Sequence, residues 1–162
     1  MDDLFAVPGA AWVHVSPRLA SLRRSLCVGV AGVAVALLVA GAALLSQVWV
    51  SLAGLALVLA VASAAWVVIG RSVGSWAYAE RDDDLFVRRG VAFLRCVVVP
   101  YGRMQLVDVT AGPLQRRFGV ATVHLHTAAP DTKARIPGLL PEEAARLRDR
   151  LTALGEAQAS GL

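Results

Sequence analysis

Polar positions fall along this 162-residue chain in two unlike patterns. From Ser25 to Gly70, 46 residues contain no Asp, Glu, Lys or Arg, and the apolar run is broken in its middle only by Ser46-Gln47. One straight helix of that length would extend about 69 Å, more than twice the ~30 Å hydrocarbon core of a bilayer. Dividing the run at Ser46-Gln47 leaves 26–45 and 48–69, each close to the ~20 residues one span requires. The pattern therefore predicts a two-helix transmembrane hairpin over 25–70, a short segment over 1–24 before it, and a soluble domain over 71–162.

After Arg71 the period shortens to that of strands. Trp76 and Tyr78 alternate before a polar turn at Arg81 to Asp84, and Leu85 to Arg89 then runs to Gly90, which reads as a hairpin. Ala92 to Val99 is a second β-rich run, ended by Pro100, whose missing N–H keeps it from a central ladder position. Met104 to Thr110 follows as a strand. A loop opened by Gly112-Pro113 carries Arg116, Arg117 and Phe118. In Val120 to Thr127, Ala121, Val123 and Leu125 alternate with Thr122, His124 and His126, so one face is buried. A turn at Ala128 to Asp131 precedes a short strand from Lys133 to Ile136.

The last segment changes period again. Pro141-Glu142-Glu143 places proline at the first helical position and carboxylates in the first turn. Ala144, Leu147, Leu151 and Leu154 then share a face, and Gly155 is the expected stop. The expected fold is a membrane α-hairpin plus a mainly β soluble domain, a pleckstrin-homology-like (PH-like) barrel or sandwich of about seven strands with one C-terminal α-helix.

Charge orients the hairpin. Arg18, Arg23 and Arg24 precede the first span, Arg71 follows the second, and the turn between has no basic residue. By the positive-inside rule both termini are cytoplasmic and the protein is a multi-pass inner-membrane protein. A cleaved signal peptide is not expected, because its apolar region would be ~7–15 residues. The overall charge of +4 and the pI near 9.8 fit the same bias. The tail carries thirteen Lys or Arg against ten Asp or Glu, spread without the basic stripe and interleaved aromatics of a nucleic-acid binder. Nucleic acid is not an expected partner. Cys27 in the first span and Cys96 in the tail are not expected to form a disulfide.

Gly32, Ala36 and Ala40 recur every fourth residue on the first helix, as Ala56, Ala60 and Ala64 do on the second. Such faces let helix backbones approach. Packing within the hairpin is the main expectation, and a homo-oligomeric seam the alternative. No ionisable group sits at bilayer depth, so no ion or proton pathway is expected.

Catalytic chemistry finds no constellation. His124 and His126 lie on one strand face about 7 Å apart, but two ligands do not make a zinc site. Asp82 to Asp84 lack the spacing of a calcium loop. No phosphate loop or nucleophile elbow occurs. No metal or other cofactor and no enzymatic activity are expected. Arg103 and Gln105 are the sharpest polar pair, expected to alternate onto one strand face beyond Pro100. There Arg103 either offers its fork to a partner's carboxylate or phosphate, or pairs with an acid such as Asp108 and pins the corner. Arg116 and Arg117 beside Phe118 form a basic-aromatic tip suited to a partner or to anionic headgroups.

Trp76-Ala-Tyr78, Asp84-Leu-Phe-Val-Arg88 with Gly90, Val99-Pro-Tyr-Gly-Arg-Met-Gln105, Gly112-Pro-Leu-Gln-Arg-Arg-Phe-Gly119, Thr127-Ala-Ala129 and Ile136-Pro-Gly138 also form an ordered set. In order and spacing it resembles bacterial membrane-anchored PH-like proteins of the YdbS type. The chain departs from their pattern at Gly102, Met104 and Ala129. The resemblance implies a PH-like fold on the cytoplasmic face, association with a larger membrane protein bearing several such domains, and no established reaction. The function expected is a non-enzymatic, membrane-anchored interaction module within a membrane complex. The alternative is an anionic-lipid-sensing domain in which membrane lipids are the partner.

Overall fold

Two long helices open the fold, α1 over Arg18–Leu45 and α2 over Val48–Gly74. At about 42 and 40 Å both exceed the hydrocarbon core, so each has turns to spare at its polar end. The structure, a computed structural model, describes residues 11–45, 48–127 and 134–159. The turn at Ser46-Gln47, the turn at Ala128 to Asp131 with Ala129, and Lys133 lie outside the described residues.

The helices pack through a seam that differs from the expected faces. Cys27, Ala31, Ala34, Val35 and Leu38 of α1 are half-buried, as are Gly54, Leu55, Val58, Ala62 and Ala65 of α2. Gly32, Ala36, Ala40, Ala56, Ala60 and Ala64 are exposed on the outside instead. In an Ala-rich helix the four-residue spacing recurs on several faces. At the seam large meets small: Leu38 packs over Gly54, where an added Cβ would lie 2.8 Å from Leu38 Cδ2 and would push that side chain aside.

The soluble part is two antiparallel sheets. Sheet A has the order β1-β2-β3-β4, from Val13–His14, Ala77–Glu80, Asp84–Arg89 and Arg95–Pro100. Sheet B has the order β5-β6-β7, from Met104–Thr110, Ala121–Thr127 and Ala134–Leu139. Seven strands among the described residues match the expected count, as a sandwich and not a closed barrel. Pro100 ends edge strand β4, a 3-10 turn at Tyr101–Arg103 carries the chain to the other sheet, and Pro137 lies in edge strand β7. Proline is tolerated at such edges because no ladder donor is needed there.

One strand comes from an unexpected place. β1 precedes the hairpin and pairs Val13 with Tyr78 and His14 with Ala77. Val15, Leu19 and Ala20 then join the core with Val73 and Trp76. The segment before the hairpin and the tail are thus one folding unit, with the hairpin inserted between them.

A five-residue helix, α3, spans Pro113–Arg117 where a loop was expected. The C-terminal helix α4 runs Pro141–Ala159, past the predicted stop. Gly155 does not take the left-handed conformation of a helix stop; among the described residues the positive-φ glycines are Gly90, Gly119 and Gly138. Ala144, Leu147 and Leu151 are fully buried between the sheets. A polar clamp holds the helix to β2: the Tyr78 hydroxyl donates to Glu143 Oε1 at 2.6 Å, and Arg146 Nη2 donates to Glu143 and Glu80 at 2.7 and 2.8 Å. Arg150 Nε lies 3.1 Å from Glu80 Oε2, near enough for an ion pair but not aligned as a hydrogen bond.

Candidate functional site

The corner between the sheets is built around Tyr101. Its ring is fully buried, its hydroxyl donates to the Arg81 carbonyl at 2.8 Å, and its N–H donates to the Asp83 carbonyl at 3.1 Å. Arg103 ends this turn and Gln105 lies on β5, both exposed. They are not related by strand alternation as expected, because the 3-10 turn precedes Met104 and the register shifts between Met104 and Leu106. Among the described residues, the arginines in ion pairs are Arg146, Arg148 and Arg150, so neither Asp108 nor an acid of the first hairpin pins Arg103.

Beside this corner a cleft of about 300 Å³ opens between β5 and α4, lined on one side by Met104 to Val107 and on the other by Leu151, Thr152, Gly155 and Glu156. β5 is the outer strand of sheet B, and Leu106 is 59% exposed on it.

Arg116 and Arg117 occupy the opposite end of β5. Met104 pairs with Thr127 and Thr110 with Thr122, so six steps, roughly 20 Å, separate the two arginine sites. Gln115 ties α3 down: its Oε1 accepts from the Gly112 N–H at 2.9 Å and its Nε2 donates to Thr122 Oγ1 at 3.1 Å. Gly119, at φ +63°, lies against Arg18, whose Nη1 would be 2.9 Å from an added Cβ. Phe118 is half-buried, while both arginines are exposed. The four predicted residues therefore form two separate surfaces.

His124 is within hydrogen-bond distance of Thr110 Oγ1 at 3.1 Å. Among the described residues, no three His, Cys, Asp or Glu side chains stand close enough to hold a metal ion.

A third surface lies where the domain meets the helices. Arg24 stacks on Trp66 with its guanidinium carbon 4.8 Å from the ring centre, and Arg89 stacks on Trp76 at 5.5 Å. A cleft of about 180 Å³ is walled by Arg89, His124, His126 and Arg135. Next to it the β3–β4 turn exposes Val91, Phe93 and Leu94, Phe93 at 91%. Sequence reasoning placed Ala92 within a strand and missed this turn; the available signal was four successive apolar residues directly after Gly90.

A long apolar helical hairpin ahead of two sheets and a packed C-terminal helix narrows the comparison with known proteins. The family model described as bacterial PH domain matches residues 15–154. The chain belongs to this bacterial PH domain family. The match includes the hairpin, β2 to β7 and most of α4, as expected if all are parts of one unit. The "UPF0699 transmembrane protein YdbS" of Bacillus subtilis (strain 168) is 39% identical over 79 residues, which cover 49% of this chain and 48% of that protein. The alignment thus spans about half the length of the relative it matches. No solved structure matches the chain. The protein is a membrane-associated PH-like module.

Proposed function

We propose that this bacterial PH domain protein is a non-enzymatic interaction module of the inner membrane, anchored by two spans with both termini in the cytoplasm, and a subunit of a membrane complex. The observation that carries the reading is the outer edge of β5. It presents unpaired backbone groups beside an open cleft against α4, with Arg103 at one end outside the ion pairs found among the described residues. An extended segment adding to such an edge gains backbone hydrogen bonds for affinity and side-chain pockets for specificity. The exposed Leu106 supplies an apolar anchor, and Arg103 with Gln105 supplies the polar selection. Arg116 and Arg117 form a second contact about 20 Å away, roughly the length of the strand, as a large partner would require. That partner is a larger multi-domain PH-like membrane protein.

Mild detergent extraction of the tagged full-length protein, followed by mass spectrometry, tests the proposal. A reproducible membrane partner should co-purify with the native chain. It should be lost or strongly depleted with the Arg103→Ala/Leu106→Asp double variant while insertion and thermal melting persist. Purification of the native protein as an isolated monomer would sink the reading.

A further inference from the structure

The β3–β4 turn combines two features that are unfavourable in water. Val91, Phe93 and Leu94 form an exposed apolar tip, with the Phe93 ring 91% accessible. Immediately behind it, Arg89 and Arg95 stand directly opposite each other in the ladder, and like charges in such a pair repel. Arg88 precedes them on β3. Exposed large apolar tips mark contact sites more often than accidents of folding.

Their position supplies the occupant. The Gly90 N–H donates to Ser75 Oγ at 3.2 Å, and Ser75 directly follows the last residue of α2. Six residues separate Ser75 from Ile69, where the predicted second span ends, or about 9 Å of helical rise. The headgroup layer is itself roughly 5–7 Å deep on each side. β3 runs antiparallel to β2, so the turn projects back past the point where β2 leaves α2. The adjoining cleft is cationic, with Arg89 and Arg135 among its walls and no acidic side chain among its described lining residues. Arg135 is within electrostatic reach of Arg23 on the polar end of α1. Arg18, beside α3, lies five residues farther from the span than Arg23, about 7.5 Å along the helix.

We infer that the β3–β4 turn is a membrane wedge: Val91, Phe93 and Leu94 enter the leaflet next to α2, and Arg89, Arg95 and Arg135 bind the headgroups of anionic lipids. The cleft walled by Arg89 and Arg135 takes a headgroup phosphate through charge-assisted hydrogen bonds. Lipid contact here fixes the tilt of an already tethered domain and does not recruit it. Gly90 lets the wedge close. At φ +119° an added Cβ would lie 1.9 Å from the Phe93 carbonyl oxygen, so the turn is closed too tightly for another residue. This inference is independent of the partner proposed for β5, which uses a different surface.

The test uses the full-length protein with Cys27→Ser and Cys96→Ser, reconstituted into vesicles. A single cysteine carries a small environment-sensitive fluorophore, introduced as Ala92→Cys in the wedge or as Asp82→Cys in the β2–β3 turn. In vesicles of phosphatidylcholine with phosphatidylglycerol, the label at 92 should be blue-shifted, quenched by a lipid-borne quencher and sheltered from iodide. The label at 82 should behave oppositely. Phe93→Asp should expose the label at 92, and Arg89→Gln/Arg135→Gln should remove its dependence on phosphatidylglycerol, with the label at 82 unchanged as the folding control. Equal iodide access at 92 and 82 overturns the wedge. Sheltering that is the same in phosphatidylcholine alone overturns the headgroup assignment. Sheltering found in native membranes but not in pure lipid means that a protein covers the turn, and overturns the inference as a whole.

Discussion

At the scale of single residues, Gly90 and Glu143 carry distinct and measurable loads. Gly90→Ala meets both a positive φ and the Phe93 carbonyl. The variant should lose about 1–3 kcal/mol in denaturant or thermal melting of the full-length protein in detergent, and a loss within error would mean that the turn can relax. Hydrogen bonds from Arg146 and then Tyr78 hold the Glu143 carboxyl below its ordinary value. Burial and the Glu143 carboxylate hold the Tyr78 phenol well above its own, so it remains a donor. A carboxylate with a depressed folded-state pKa adds stability above the ordinary carboxylate range and loses it as pH falls through the folded value. The Glu143→Gln variant should therefore melt below the native protein at neutral pH, and the gap should close on acidification. A gap that widens in acid would contradict the clamp.

Among the elements, α4 shows how much can be read from period alone. Proline and two acids marked its start and the Ala144, Leu147, Leu151 and Leu154 stripe marked its buried face; the first three are fully buried, and Leu154 is partly buried against the core. Its end was misread, because a glycine near a helix end reads as a stop, whereas Gly155 keeps helical backbone and α4 runs on to Ala159. Leu151→Ala should cost about 2–5 kcal/mol, measured on the full-length protein because β1 belongs to the domain. A cost under about half a kcal/mol would mean the helix is not docked. Strands β3, β5 and β6 were legible from alternation and turn residues. The relation of Arg103 to Gln105 was not legible, since a 3-10 turn and a bulge break the strand alternation there, and the distance to Arg116 and Arg117 follows from the length of β5. The hairpin's existence followed from the absence of charge; its seam did not, because alanine spacing does not say which face meets Leu38. β1 was hidden by its length, two residues giving no periodicity to read.

For the whole molecule, the proposed topology makes a direct prediction. In a cysteine-free background, a membrane-impermeant thiol reagent applied to intact cells should label Ser46→Cys and spare Ser160→Cys. The reverse pattern would invert the orientation argued from Arg18, Arg23, Arg24 and Arg71. The pairing of Val13 with Tyr78 also sets the order in which the protein can be made. Sheet A cannot close until Tyr78 has been synthesised, and both helices lie between it and Val13, so the first strand must wait while the hairpin inserts. Once β2 emerges and captures β1, the two ends of the hairpin are tied together outside the bilayer. A helix that had entered alone would leave β1 and β2 on opposite sides of the membrane with no partner for either. In the proposed two-span topology, the soluble domain can therefore close only in chains whose two helices have crossed as a pair.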